Sequence, residues 1–230
     1  MKRSFTPRSN ATQPSVWILL SGCGLHDGTE PHEAALLALA LARHGITPRY
    51  CAPDMSSSHT VDHHRGELAR HDARDVLSES ARLARGVVEP LSTVDPTKVD
   101  VLLIPGGYGA VKVLCDYARR ARACVVHPEV ETLVRALHAR GVPVGALCVS
   151  TVLIARVLGS QGVQLGLGWD SAIDADCASW GAQVQRCEAD RVVVDRAHRV
   201  VSTPALSASR DLAVVAQAID RTVAAVLELR

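Results

Sequence analysis

Two rhythms of apolar and polar positions alternate along the chain. Short, unbroken apolar stretches, as in 16–22 (VWILLSG), 99–104 and 142–147, have the length and content of buried strands. Between them lie segments with Ala and Leu at helical spacing. His32 to His44 is one, stopped by Gly45; 129–140 is another, stopped by Gly141; 75–85, 151–158, 170–180 and 210–229 are the rest. Residues 47–52 (TPRYCA) predict a second strand, and 86–91, with Pro90, a short edge strand. Residues 191–195 and 199–202 predict two short strands across an Asp-Arg-Ala-His turn. Residues 55–75 are polar, His-rich and weakly periodic, an excursion forming a hairpin or loop over one sheet edge.

Strand and helix alternate through most of the chain, which predicts an α/β domain with a mostly parallel sheet and helices on both faces. Ligands of such sheets bind beyond the carboxyl ends of the strands. Segments 21–33, 105–112 and 146–151 should meet there.

Composition sharpens this picture. Aromatics are 3% of 230 residues, so the core must be Val, Leu, Ile and Ala, as in parallel strands under Ala/Leu helices. The length suits a single domain over 16–230. Net charge is +1 with no basic stripe, which argues against nucleic acid, and no apolar run reaches membrane-spanning length. Residues 1–15 are basic and lack an apolar core. They predict a flexible extension, with a short organellar presequence as the sharper reading. Seven cysteines without CxxC spacing fit reduced thiols in the cytoplasm.

One of those thiols stands out. In Ala146-Leu147-Cys148-Val149-Ser150, strand, cysteine and helix follow without a linker, flanked by small residues. That pattern suits a nucleophile elbow, with the helix N-terminus favouring a thiolate and the Val149 N–H facing an oxyanion. A buried strand-end cysteine fits the same pattern. Pro105-Gly106-Gly107-Tyr108-Gly109 is a glycine turn whose exposed N–H groups, Gly107 above all, suit an oxyanion hole. It equally suits an ordinary turn. Segment 21–33 brings Ser21, Gly22, Glu30 and Glu33 to a helix start. A carboxyl there commonly serves the helix dipole, but a buried Glu33 would hold its proton and share it with a nearby thiol. Glu30 competes for that role. The histidines at 59, 63, 64 and 71 are explained as well by a solvated loop as by a metal site, so no metal or other cofactor is assigned.

Together these segments resemble the ThiJ/PfpI superfamily, related to class I glutamine amidotransferases, and within it the ElbB-like, or isoprenoid-biosynthesis glyoxalase-like, branch. The stretches LSGCGLHDGTEPHEA (20–34), CAPD (51–54), IPGGYGAVK (104–112), VPVGALC (142–148) and VVSTPA (200–205) carry the resemblance, in the family's order. It implies a flavodoxin-like sandwich, commonly a homodimer, with Cys148 as nucleophile, Glu33 as the helix-start carboxyl and Gly107 as the oxyanion glycine. Ser21, Gly22, Gly106, Lys112 and Asp170 would line or border the pocket. Val149-Ser150 departs from the branch's usual Ile-Ala, and 166–170 (GLGWD) lacks the histidine of many relatives. A missing histidine removes the obvious proton donor for a leaving amine, against a hydrolase or amidotransferase reading. The expected function is therefore a cofactor-free, glyoxalase- or deglycase-like conversion of small reactive aldehydes. The alternative is a non-catalytic protein whose Cys148 senses oxidants.

Overall fold

In a computed structural model of the chain, residues 13–57, 59–69, 72–168 and 171–230 are described. The apolar stretches become β1 (Val16–Leu19), β6 (Val101–Ile104), β7 (Val144–Leu147) and β11 (Val200–Thr203), buried at every position. Strands without a polar face need a cover on both sides, and the amphipathic helices supply it. A seven-stranded sheet runs in the order β5-β2-β1-β6-β7-β11-β10, adding β2 (Arg49–Ala52), β5 (Glu89–Pro90) and β10 (Val193–Asp195). All neighbours are parallel except β10, which closes the edge antiparallel to β11. The chain grows outward from β1 to β2 and β5, then returns to the other side of β1 as β6. This reversal creates the crevice at the strand ends where the three loops meet.

On one side α1 (Pro31–Arg43) packs on α8 (Leu212–Glu228); α5 (Pro128–Ala139) pairs with α6 (Thr151–Leu158). Gly145 in β7 admits α8 closely, since a Cβ there would come within 3.3 Å of Thr222 and Val226 and 2.6 Å of Leu103. One apolar core runs from Val16 to Leu229.

Several details differ from the sequence reading. Residues 13–15 are part of the fold: Gln13 donates to the Gly45 carbonyl, and Ser15 exchanges backbone and side-chain bonds with Asp100. The domain therefore begins before Val16. The remainder of the expected 1–15 extension, residues 1–12, lies outside the described residues. The 55–75 excursion is a hairpin, β3 (Val61–Asp62) with β4 (Glu67–Leu68), followed by α2 (Val76–Ala84). It is pinned onto the turn after β1 by the Val61 N–H donating to Asp27 Oδ2 at 2.6 Å. Two strands went unread. β8 (Gln164–Leu167) and β9 (Gln183–Arg186), joined by α7 (Ser171–Ser179), form a separate parallel pair. Their glutamines and glycine hide the strand signal. Two short helical turns, α3 (Gly109–Lys112) and α4 (Tyr117–Arg120), follow the glycine turn after β6.

Candidate active site

The strand ends set the site. β7 delivers Cys148 with φ 54°, a left-handed backbone that a side-chain-bearing residue adopts only under constraint. Ser150 supplies that constraint. Its hydroxyl accepts from the Leu147 N–H (2.9 Å) and reaches the carbonyls of Ile104 and Leu147 at 2.8 and 2.7 Å, tying the elbow to the end of β6. The smallness expected at position 150 thus comes with a hydrogen-bonding role. A short 3-10 turn over Cys148–Ser150 separates the sulfur from α6.

Three polar groups lie close enough to the Cys148 sulfur to pull its pKa down: the N–H groups of Val149 and Gly107 and the hydroxyl of Ser207, which itself donates to the Pro204 carbonyl at 2.6 Å. The first two are the N–H groups that the sequence reading directed at an oxyanion; here they act on the sulfur. Ser207, just after β11, does not figure in that reading. Despite these groups, burial, together with the Glu33 charge, pushes the thiol up to about 12. The expected resting thiolate is therefore corrected: desolvation outweighs both the N–H groups and the helix end.

Glu33 is completely buried. Its Oε2 accepts from the Gly106 N–H at 2.7 Å, and its Oε1 from the Leu206 N–H at 3.2 Å. The carboxyl thus bridges the glycine turn after β6 and the turn after β11, where Ala205 holds φ 46°. Burial raises its pKa to about 7, against the pull of both N–H groups. Gly106 lies between acid and sulfur. A Cβ added there would sit 2.5 Å from Cys148 Cβ, 2.9 Å from Glu33 Oε2 and 3.1 Å from Cys148 Sγ, so the reacting atoms are no more than about 6 Å apart. Only glycine permits that approach.

The other candidates take different places. Glu30 is the N-cap of α1: its Oε2 accepts from the Glu33 N–H at 2.7 Å and its Oε1 pairs with His32 Nδ1 at 2.7 Å. Both oxygens of its carboxylate thus take part in building the helix start. Ser21 is buried, with its hydroxyl on Thr29 and its Oγ only 2.4 Å from where a Gly109 Cβ would sit. The Gly22 N–H donates to Ser80. Both border a separate cleft with Cys23, Asp27, Arg74 and Glu79, so they brace the turn from behind. Lys112 Nζ donates to the His26 carbonyl at 2.7 Å, clamping the same turn to α3. Asp170 lies outside the described residues, as does His71. His63 is held by the Val61 carbonyl and the His26 N–H, which gives one of the loop histidines a structural role. His26 stacks near His63, and His32 pairs with Glu30. Among the described residues no three His, Cys, Asp or Glu side chains converge as metal ligands, and no helix is long and apolar enough to cross a membrane.

The human glutamine amidotransferase-like class 1 domain-containing protein 3, mitochondrial, is 36% identical over 223 residues, spanning 93% of this chain and 82% of its own length. The chain belongs to the glutamine amidotransferase-like class 1 domain family. The rat ES1 protein homolog, mitochondrial, is 35% identical across 98% of this chain and 86% of its own length. Among solved structures, an isoprenoid biosynthesis protein with an amidotransferase-like domain from Ehrlichia chaffeensis superposes with a TM-score of 0.83 at 28% identity, covering 93% of this chain and 99% of that one. Drosophila melanogaster DJ-1beta, at 18% identity and a TM-score of 0.50 over 94% of this chain and 95% of its own, shares the fold. No family model matches the chain.

Proposed function

We propose that the protein is a cofactor-independent enzyme that converts small reactive aldehydes, such as methylglyoxal or glyoxal, to hydroxy acids. One observation carries the reading. A partly exposed thiol and a buried carboxyl that titrates near neutrality face each other across Gly106, ringed by N–H donors.

The chemistry balances with water as the one further reactant. Sulfur bonds to the aldehyde carbon, the carbonyl electron pair moves to oxygen, and that oxygen gains the thiol proton by way of Glu33. The N–H groups of Gly107 and Val149, which act on the sulfur, then donate to the new oxygen. Glu33 then removes the hydrogen of the former aldehyde carbon, giving an enediolate whose first hydroxyl passes its proton to the neighbouring oxygen, and returns a proton to the neighbouring carbon. Water hydrolyses the resulting thioester, releasing the hydroxy acid and restoring the thiol. A base with a pKa near the working pH suits both transfers. The raised thiol pKa keeps the sulfur protonated until substrate and Glu33 are both in place.

An oxidant-sensing role asks for the opposite resting state, a low-pKa thiolate. The desolvation that raises the Cys148 thiol therefore favours turnover over sensing. The mitochondrial location in the relatives' names favours an organellar location over a cytoplasmic one. The test is lactate production from methylglyoxal by the wild type, Cys148→Ala and Glu33→Gln. Both variants should lose turnover by at least about a hundredfold; equal rates in all three would overturn the proposal.

A further inference from the structure

Behind the turn after β1 lies a second cleft. Cys23 and Asp27 wall it from that turn, and Arg74, Asp75 and Glu79 from the start of α2. The walls carry three carboxyls and one guanidinium, and the guanidinium is already matched. Arg74 Nε and Nη2 both lie 2.9 Å from Asp72 Oδ2. The surplus charge of the cleft is negative. Cys23 feels it, since burial and then the Glu79 charge hold its thiol above the ordinary range.

Asp27 is the unusual member. Its side chain is only 6% exposed. Oδ2 accepts from the Val61 N–H at 2.6 Å, whereas among the described residues no group donates to the buried Oδ1. His63 Nε2 lies 3.7 Å from Oδ1 but has no hydrogen to give. It accepts from the His26 N–H at 3.1 Å, and Nδ1 of the same ring, 3.1 Å from the Val61 carbonyl, carries the proton. A carboxylate removed from water with one oxygen bare costs stability, so Asp27 calls for a donor from outside the chain. The other two carboxyls are each engaged on one side. Asp75 Oδ1 accepts from the Ser78 N–H at 2.7 Å, and Glu79 Oε1 lies 3.6 Å from Arg82.

The size and charge of the cleft choose the donor. Its volume is about 10 Å³, room for one water-sized group. Among the described residues no three acidic, histidine or cysteine side chains converge as metal ligands, which leaves a cation that brings its own N–H groups. A primary ammonium is such a cation, a compact charge with three donors, whereas a planar guanidinium is broader. We propose that the cleft binds the primary ammonium group of a small amine. One N–H is donated to Asp27 Oδ1, Asp75 and Glu79 balance the charge, and the rest of the molecule stays outside the cavity. The walls include neither Cys148 nor Glu33, so the site stands whatever the protein turns over.

Amide NMR on the full chain tests this. Methylammonium is titrated at constant ionic strength, with tetramethylammonium, which has the charge but no N–H, as the comparison. The Val61 amide, bonded to the other oxygen of Asp27, is the reporter, with Gly22 and Cys23 beside the cleft. Methylammonium should shift all three saturably, and tetramethylammonium should leave them in place. Asp27→Asn keeps an acceptor for the Val61 N–H and should bind methylammonium at least about tenfold more weakly. Cys148→Ala should bind it as the wild type does. Equal responses to the two cations, or no response to either, overturn the proposal on the wild-type protein alone. Undiminished binding by Asp27→Asn overturns it as well, and so does a preference for guanidinium over methylammonium.

Discussion

Replacing Glu33 by Gln tests whether burial, and not the two N–H donors, sets the acid's proton affinity. Folding lifts its pKa from 4.5 to about 7. Between those values the folded chain keeps a proton that the unfolded chain has released. Stability from this group is therefore complete below the unfolded value and is lost as pH rises through the folded one. Each pH unit in the window is worth about 1.4 kcal/mol. The wild type should thus lose about 3 kcal/mol relative to Glu33→Gln between about pH 4.5 and about pH 8. The variant carries a constant penalty, on the order of 1–3 kcal/mol, because its amide turns a donor toward the N–H of Gly106 or Leu206. That penalty shifts the whole curve and leaves the slope. Urea denaturation of both proteins across this range, at fixed ionic strength, isolates the effect, since the other titrating groups cancel in the difference. A pH-independent difference would refute the argument. A difference of opposite slope would mean that the N–H donors outweigh desolvation.

Three further substitutions probe the geometry. Gly106→Ala drives a Cβ to 2.5 Å from Cys148 Cβ and should cost about 1–3 kcal/mol in denaturant unfolding and at least tenfold in turnover; normal values of both would show that the strand ends yield freely. Cys148→Gly should be more stable than Cys148→Ala by about 1 kcal/mol, because glycine adopts φ 54° without penalty, and thermal unfolding of the two variants decides it. Glu30→Ala should lose about 1 kcal/mol of stability by calorimetry as α1 loses its cap, whereas a change in substrate affinity at unchanged stability would restore Glu30 to the pocket.

Much of this fold could be read from residues because its strongest signals are local. The apolar strands at 101–104 and 144–147 are buried on both faces, and Gly45 and Gly141, which stop two helices, both hold positive φ. β8 and β9 escaped because their partners are each other. Gln164 and Gln183 pair outside the main sheet, and β8 is attached through the Gly166 N–H on the Ser202 hydroxyl and the Gln164 N–H on Asp195, bonds that no periodicity announces. Residues 13–15 escaped for a similar reason, since their anchors are Gly45 and Asp100.

The same distinction separates the halves of the site. Cys148, Val149 and Gly107 lie within two short motifs, and motif reasoning brings them together correctly. Leu206 and Ser207 complete the site from the far side: Leu206 is 173 residues from the Glu33 carboxyl it binds, with Ala205 in a left-handed turn that no glycine marks. A sequence can show that a helix start lies near a sulfur, but the sign of the resulting shift depends on how much water is removed. Here the helix proper begins only at Thr151, and the carboxyl that opposes a thiolate is itself fully buried. Desolvation thus acts on both members of the pair in the same direction, favouring their protonated forms. A site so arranged has one accessible proton acceptor near neutrality, Glu33, and its reactivity should follow that carboxyl's titration before the thiol's own.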